Sequence, residues 1–166
     1  MATAANPYAG YLGEKDALTV LDETPGLLTG WAHKIGPSGL RESYAPGKWS
    51  GETLLCHLTD CEIAFGNRWR QVVAEPKIVI QPFDQELWAK QYTDLDKTAA
   101  LDVFTFLRRW NLNWLKALRP EAFATQVTHP ERGLVTLQML LNITAGHDLN
   151  HLEHFKLLAA KTGSAL

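Results

Sequence analysis

His147 and His151 stand four residues apart in the segment GHDLNHLEHF, a spacing that stacks two imidazoles on one helix face, about 5–6 Å between Cβ atoms. Followed backward through Leu137, Leu140, Leu141 and Thr144, and forward through Phe155 and Leu158, that face is an apolar stripe. Two polar rings therefore point where a core belongs. Burying them side by side costs free energy unless each finds a partner, and one metal ion would serve both. The competing reading is a pair of core or interface histidines with ordinary hydrogen bonds. The rest of the chain has to separate the two.

His57 is the candidate third ligand. It lies on a second apolar stripe with Leu54, Leu58, Cys61, Phe65, Arg68 and Val72. In a helical bundle, side chains on facing helices meet in the interior and can build a metal site there. Three neutral imidazoles leave at least one coordination position for water or substrate, which separates a catalytic site from a closed structural one. A ligating histidine usually donates its other ring N–H to a carboxylate or carbonyl, and Asp60 and Asp148 are the nearby carboxylates in sequence. Two rivals share the stripes. His154 follows His147 by seven residues, about 20° away around a helix, so it can be a ligand, a pocket wall or an interface residue. Cys61 lies on the face of His57, and a thiolate also binds zinc.

The elements that must carry these residues are helical. Asp16 to Leu21 reads as a short helix, and Thr24-Pro25 as the start of the next, with threonine as N-cap and proline in the first position. Leu27, Leu28, Trp31 and Ile35 would form its buried face, Gly36-Pro37 its end, and His33 would face solvent. Ser50 caps a long helix running to residue 74, stopped by Glu75-Pro76. Residues 76–95 read as a proline-punctuated link with one short helix, and a connection that long suggests a crossover or a pocket lid. Asp94 or Asp96 would cap the third long helix, with Leu101, Phe104, Leu107, Trp110 (or Leu112), Trp114 and Leu118 as its apolar positions, ending at Arg119-Pro120. Residues 120–135 follow as an extended loop, with His129 exposed before Pro130. Thr136 opens the last helix, which runs to residue 161, and Gly163 caps it. Residues 1–13 form an irregular arm on the body, and short extended pieces fall near 77–82 and 125–135. The expectation is an all-α four-helix bundle with long connecting loops, one domain over residues 1–166.

Composition narrows the function classes. The chain has 166 residues, 46% of them hydrophobic, and a formal charge of −2. That suits an ordinary folded domain and leaves no electrostatic footprint for nucleic acid or an anionic membrane. No apolar run approaches the roughly 20 residues a bilayer span needs, and the N-terminal stretch lacks the pattern of a signal peptide. Cys56 and Cys61 cannot easily bridge within one helix and suit a reducing compartment, so the expected location is the cytoplasm. There is no P-loop, no G-x-G-x-x-G and no G-x-S-x-G. GHDLNH differs from H-E-x-x-H because Asp148 holds the glutamate position, which argues against a protease.

YAPGKWSGETLLCHLTDCE at 44–62, HPERGLVTLQMLL at 129–141 and AGHDLNHLEHF at 145–155 resemble, in order, the DinB superfamily and its YfiT-like branch; PKIVIQPFDQELWA at 76–89 looks like that branch's linker. The resemblance implies a four-helix bundle, often a homodimer, with a three-histidine site for zinc or nickel, carried over onto His57, His147 and His151. The chain departs at His154, where the family pattern commonly has glutamine. It also implies a range of activities: thiol S-transferases using low-molecular-weight thiols, a thiol-dependent isomerase, and metal-dependent hydrolases. The shared physics is a divalent ion that lowers the pKa of a thiol or water.

Of these, a thiol S-transferase is the first expectation, with a small-molecule thiol and an electrophilic substrate received by the loops at 76–95 and 120–135. Arg68 could contact an anionic group, or simply be a surface charge. Phe83 and Trp88 could line the pocket, or simply pack. A hydrolase keeps the ion with water as nucleophile. A non-catalytic metal-binding protein would need four protein ligands, and a metal-free dimer interface none.

Overall fold

The structure, a computed structural model, describes residues 6–75 and 77–164. Residues 1–5 of the expected arm and Pro76 lie outside them. The elements in order are α1 (Ala9–Leu12), α2 (Ala17–Leu40), α3 (Gly51–Ala74), α4 (Gln85–Ala89), α5 (Ala100–Lys116), β1 (Gln126–His129), β2 (Gly133–Thr136) and α6 (Leu137–Lys161), with single 3₁₀ turns at Lys90–Tyr92 and Pro120–Ala124. The long helices α2, α3, α5 and α6 form the bundle.

Two helix starts fall where the sequence places them, for the expected reason. The Ser50 hydroxyl accepts from Thr53 N, and the Thr136 hydroxyl accepts from Met139 N, so each satisfies an N–H that the helix itself cannot. Gly163, at φ +70°, closes α6 in the left-handed region that glycine enters freely.

α2 departs from expectation. It is continuous through Thr24-Pro25 and begins at Ala17, capped by Asp16, whose carboxylate accepts from Thr19 N. Thr24 is buried and its hydroxyl donates to Val20 O. Pro25 has no N–H for the carbonyl of Leu21, four residues back. That carbonyl is satisfied from outside the helix, by Arg108 Nη1 at 3.1 Å. The helix does break at Gly36, at φ +72° and ψ 166°, and one further turn follows. Leu27 is 46% exposed and stands off the face made by Leu28, Trp31 and Ile35.

α5 starts later than expected. Asp96 spends its carboxylate on Thr98, two residues on, and the helix begins at Ala100 with no side-chain cap. Its buried face is Phe104, Arg108, Asn111, Leu112 and Leu115, whereas Trp110 is 66% exposed. The stretch at 120–135 is a 3₁₀ turn followed by an antiparallel hairpin, pairing Val127 with Val135, and Val79 of the linker adds a parallel bridge to Thr128.

Around the bundle the order is α2, α6, α3, α5, so two of the three chain-consecutive pairs, α2/α3 and α5/α6, sit on diagonals, while α3 and α5 are neighbours. Crossing a diagonal lengthens those two connections, whereas the link from α3 to α5 joins neighbours. Two apolar cores fill the ends. One gathers Leu21, Trp69, Val72, Leu115, Leu137 and Leu141; the other Leu28, Leu58, Phe104, Leu152, Phe155 and Leu158. Between them lies a polar layer of His57, Glu62, Arg108, Asn111, His147 and Asp148, all buried.

The N-terminal arm forms the short α1 and lies across α6 at Gly146. A Cβ on Gly146 would stand 2.6 Å from Tyr8 Cβ and 2.7 Å from Tyr8 O. Gly146→Ala is therefore expected to lift the arm, at a cost of about 1–3 kcal/mol. The check is hydrogen exchange at Tyr11 and Leu12, whose N–H groups donate to Tyr8 O: both exchange faster while the amides of α6 keep their protection.

Candidate metal centre

α3 carries His57 and α6 carries His147 and His151 into the middle layer, and their Nε2 atoms converge. His57 Nε2 and His151 Nε2 each lie 3.1 Å from His147 Nε2, and one nitrogen of each ring fits within 4.8 Å of the others. A tetrahedral ion with bonds of about 2.0–2.1 Å sets its nitrogens about 3.3 Å apart, so the three rings are placed to hold one.

The electrostatics agree. Burial, reinforced by the neighbouring His147, pushes His57 down to about 3, and burial followed by His147, His57 and His154 pushes His151 well below its ordinary value. Both rings are neutral at pH 7, the state a metal ligand requires. Three rings whose nitrogens converge cannot satisfy one another fully. His147 Nδ1 is buried with no hydrogen-bond partner among the described residues. It lies 3.8 Å from Asp148 Oδ1, too far for a hydrogen bond, but aimed at the carboxylate that would orient a ligating imidazole. The converging nitrogens, an all-nitrogen donor set, fit a divalent ion.

Both rivals are placed outside the triad. His154 sits behind His151, Nδ1 to Nδ1 at 3.2 Å, with its ring stacked on Tyr44 at 5.0 Å. Cys61 Sγ lies 3.5 Å from His57 Nε2 and 4.0 Å from His147 Nε2, beside the converging group. Burial, with Asp148 and Asp60 adding to it, pushes its thiol well above the ordinary range. Of the two carboxylates, Asp148 faces His147, whereas Asp60 accepts from Tyr92 OH at 2.5 Å and anchors the linker. Because His154 touches the back of a triad ring, His154→Gln is expected to keep one metal per chain and to weaken binding about tenfold, measured by chelator competition.

Two cavities reach the triad from different sides. The larger, about 310 Å³, is lined by Tyr44, Lys48, Trp49, Glu86, Asn150 and His151, among others. The smaller, about 150 Å³, is lined by Cys61, Phe65, Arg68, His129, Arg132 and His147, among others. Tyr8 and Gln85 border both, and Tyr8 meets His147 edge-on at 5.4 Å. Trp49 and Phe65 stand 5.0 and 5.8 Å from His57 and His147. His129, expected as an exposed loop residue, is buried: the hairpin folds its ring into the smaller cavity, where Nδ1 accepts from Glu131 N. Phe83 does line that cavity, with the Trp88 ring tilted against it at 4.6 Å.

Sequence reasoning missed the support of the site. Arg108 of α5 donates through Nε to Glu62 of α3 at 2.8 Å, through Nη1 to Asp148 of α6 at 2.7 Å, and to Leu21 O of α2. One guanidinium thus joins all four helices. Asn111 Nδ2 completes Glu62 at 2.7 Å, and Arg70 Nη1 holds Asn111 Oδ1 at 2.6 Å. The signal was present: Arg108 is four residues from both Phe104 and Leu112, on the buried face itself.

Comparison with known proteins agrees with this geometry. A protein of Oceanobacillus iheyensis named as a putative metal-dependent hydrolase is 26% identical over 142 residues, 85% of this chain and 83% of its own. YfiT of Bacillus subtilis, with the same designation, is 25% identical over 150 residues, 88% and 84%. A solved structure of Bacillus subtilis YfiT, described as having an unusual four-helix bundle topology, superposes with a TM-score of 0.80 at 24% identity, covering 89% of this chain and 86% of that one. The DinB superfamily profile matches residues 21–155. With that match over most of its length, the chain belongs to the DinB superfamily.

Proposed function

We propose that the chain is a metal-dependent enzyme acting on small molecules, most specifically a thiol S-transferase, with zinc or nickel held by the Nε2 atoms of His57, His147 and His151. The observation that carries the reading is the pair of cavities meeting one triad from different sides. A transfer between two organic molecules needs two approaches to one centre, and a structural ion needs none. The triad supplies three ligands and leaves an open position.

When bound, the ion supplies Lewis acidity that lowers the pKa of a thiol or water held there. The chain's own residues do the rest. The three imidazoles fix the direction of the open position, and Asp148 orients His147. Trp49, Phe65 and Tyr8 wall the site with rings and limit water. The larger, more polar cavity, with Lys48, Glu86 and Asn150, receives the thiol; the smaller, ring-lined one receives the electrophile. The thiol gives up its proton to solvent water, its sulfur bonds the electrophilic carbon, and the leaving group departs with its electron pair.

A hydrolase, with water as nucleophile, is the second reading, and the designations of the two relatives favour it. One experiment separates them. Metal-loaded and chelated protein are each given a panel of low-molecular-weight thiols with a chlorodinitrobenzene, and separately a nitrophenyl ester. Thioether formation that requires the metal supports thiol transfer. Metal-dependent ester cleavage without thioether formation selects the hydrolase, and equal rates with and without metal reject both.

A further inference from the structure

We propose that the smaller cavity is an oxyanion subsite, which selects electrophilic substrates that carry a carboxylate or phosphate on a short, ring-like apolar body. The inference rests on the proposed function for the word substrate, but the binding it describes does not.

The donor groups come from separate elements: the cation Arg68 from α3, and the cation Arg132 and the ring of His129 from the hairpin. Among the described residues no carboxylate lines the cavity. Glu131, exposed on the hairpin, is the carboxylate within electrostatic reach of both Arg68 and His129. Arg68 is held in place before any ligand arrives. Its Nη2 donates to Gln81 O at 2.6 Å, and its guanidinium carbon lies 5.6 Å from the Phe65 ring and 5.2 Å from the Phe83 ring. A planar fork held against rings is pre-organised to bind an oxyanion.

His129 adds a donor. Because Nδ1 accepts from the Glu131 N–H, its ring proton is on Nε2. Burial, then the charges of Arg132 and Arg68, lower its pKa, so the ring stays neutral, a donor rather than a third cation. The remaining wall is apolar: Phe65, Trp69, Phe83, Leu140 and Ile143. At about 150 Å³ the space is smaller than the ~300 Å³ at which sites for drug-sized ligands begin, so the body must be short. His147 and Cys61 border the same cavity, which sets the anion in the same chamber as the proposed reacting centre.

The test is calorimetric titration of the full chain, metal-loaded and chelated, with benzoate, phenylphosphonate and benzyl alcohol. The expected result is that one of the two anions binds about one per chain, at least tenfold more tightly than the neutral alcohol, in both metal states. The tighter anion tells carboxylate from phosphate. Arg68→Gln is expected to weaken that anion at least tenfold and Arg68→Lys by less, with metal content unchanged in both. Equal binding of benzyl alcohol overturns the subsite, and this arm needs no variant. So does an anion that binds only the metal-loaded protein and ignores Arg68→Gln, since it would then sit on the ion. Failure of thiol transfer with anion binding intact would reject the proposed function and leave the subsite standing.

Discussion

His147→Ala is expected to take the metal content of the purified protein from one per chain to near zero. His147 is the middle ring, with its Nε2 at 3.1 Å from both of the others, so its loss leaves two nitrogens with no common neighbour between them. Spread over four ligands, the about 10–16 kcal/mol of a structural zinc site is about 2.5–4 kcal/mol each, on the order of a hundredfold to a thousandfold in affinity. Elemental analysis and chelator competition read this directly. His57→Ala and His151→Ala should follow, while His154→Gln stays within about tenfold of the parent. A variant at position 147 that keeps full metal at unchanged affinity would remove the centre altogether.

Arg108→Met should be the most destabilising single change outside the triad. It leaves Glu62 and Asp148 buried as carboxylates without their cation, a loss of about 3–5 kcal/mol, or about 10 °C in melting temperature for a domain of this size. The pH dependence has a definite sign. Burial, the largest single effect, raises the Asp148 carboxyl, but Arg108 and His147 together outweigh it and hold the group below its ordinary value. In the parent, Asp148 therefore stabilises the fold at neutral pH and loses that contribution only as pH falls through its depressed value. In the variant only His147 opposes burial, so the carboxyl rises and stability falls as pH climbs through the carboxylate range. The gap between the two proteins should be widest near pH 7 and narrow below about pH 4. Thermal unfolding at both pH values checks it; a variant melting within about 2 °C of the parent at pH 7 would show that the central cation is not the tie.

What was legible in the chain depended on whether a residue acts locally. Ser50, Thr136 and Gly163 satisfy backbone groups within three residues, and the sequence shows them as caps. The triad was legible because histidine is conspicuous on an apolar stripe. Thr24-Pro25 misled because the local rule for a helix start was met while the decisive partner, Arg108, is remote in sequence. Asp96 misled in the opposite way, since an even more local bond to Thr98 took its carboxylate. Arg108, Glu62 and Asn111 escaped notice because an apolar-periodicity reading counts a charged side chain as outside, and this layer buries charges that neutralise one another. His129 was hidden by its proline neighbour, which signals a turn but not which way the turn folds.

The proline in α2 has a consequence for anyone who would engineer this protein. A survey of helix-breaking residues would mark Pro25 for replacement, and the usual expectation is a firmer helix. Here an alanine at 25 would bring an N–H to the Leu21 carbonyl and set it in competition with the guanidinium that gathers the bundle. The local repair would loosen the hub, so the irregularity is better kept.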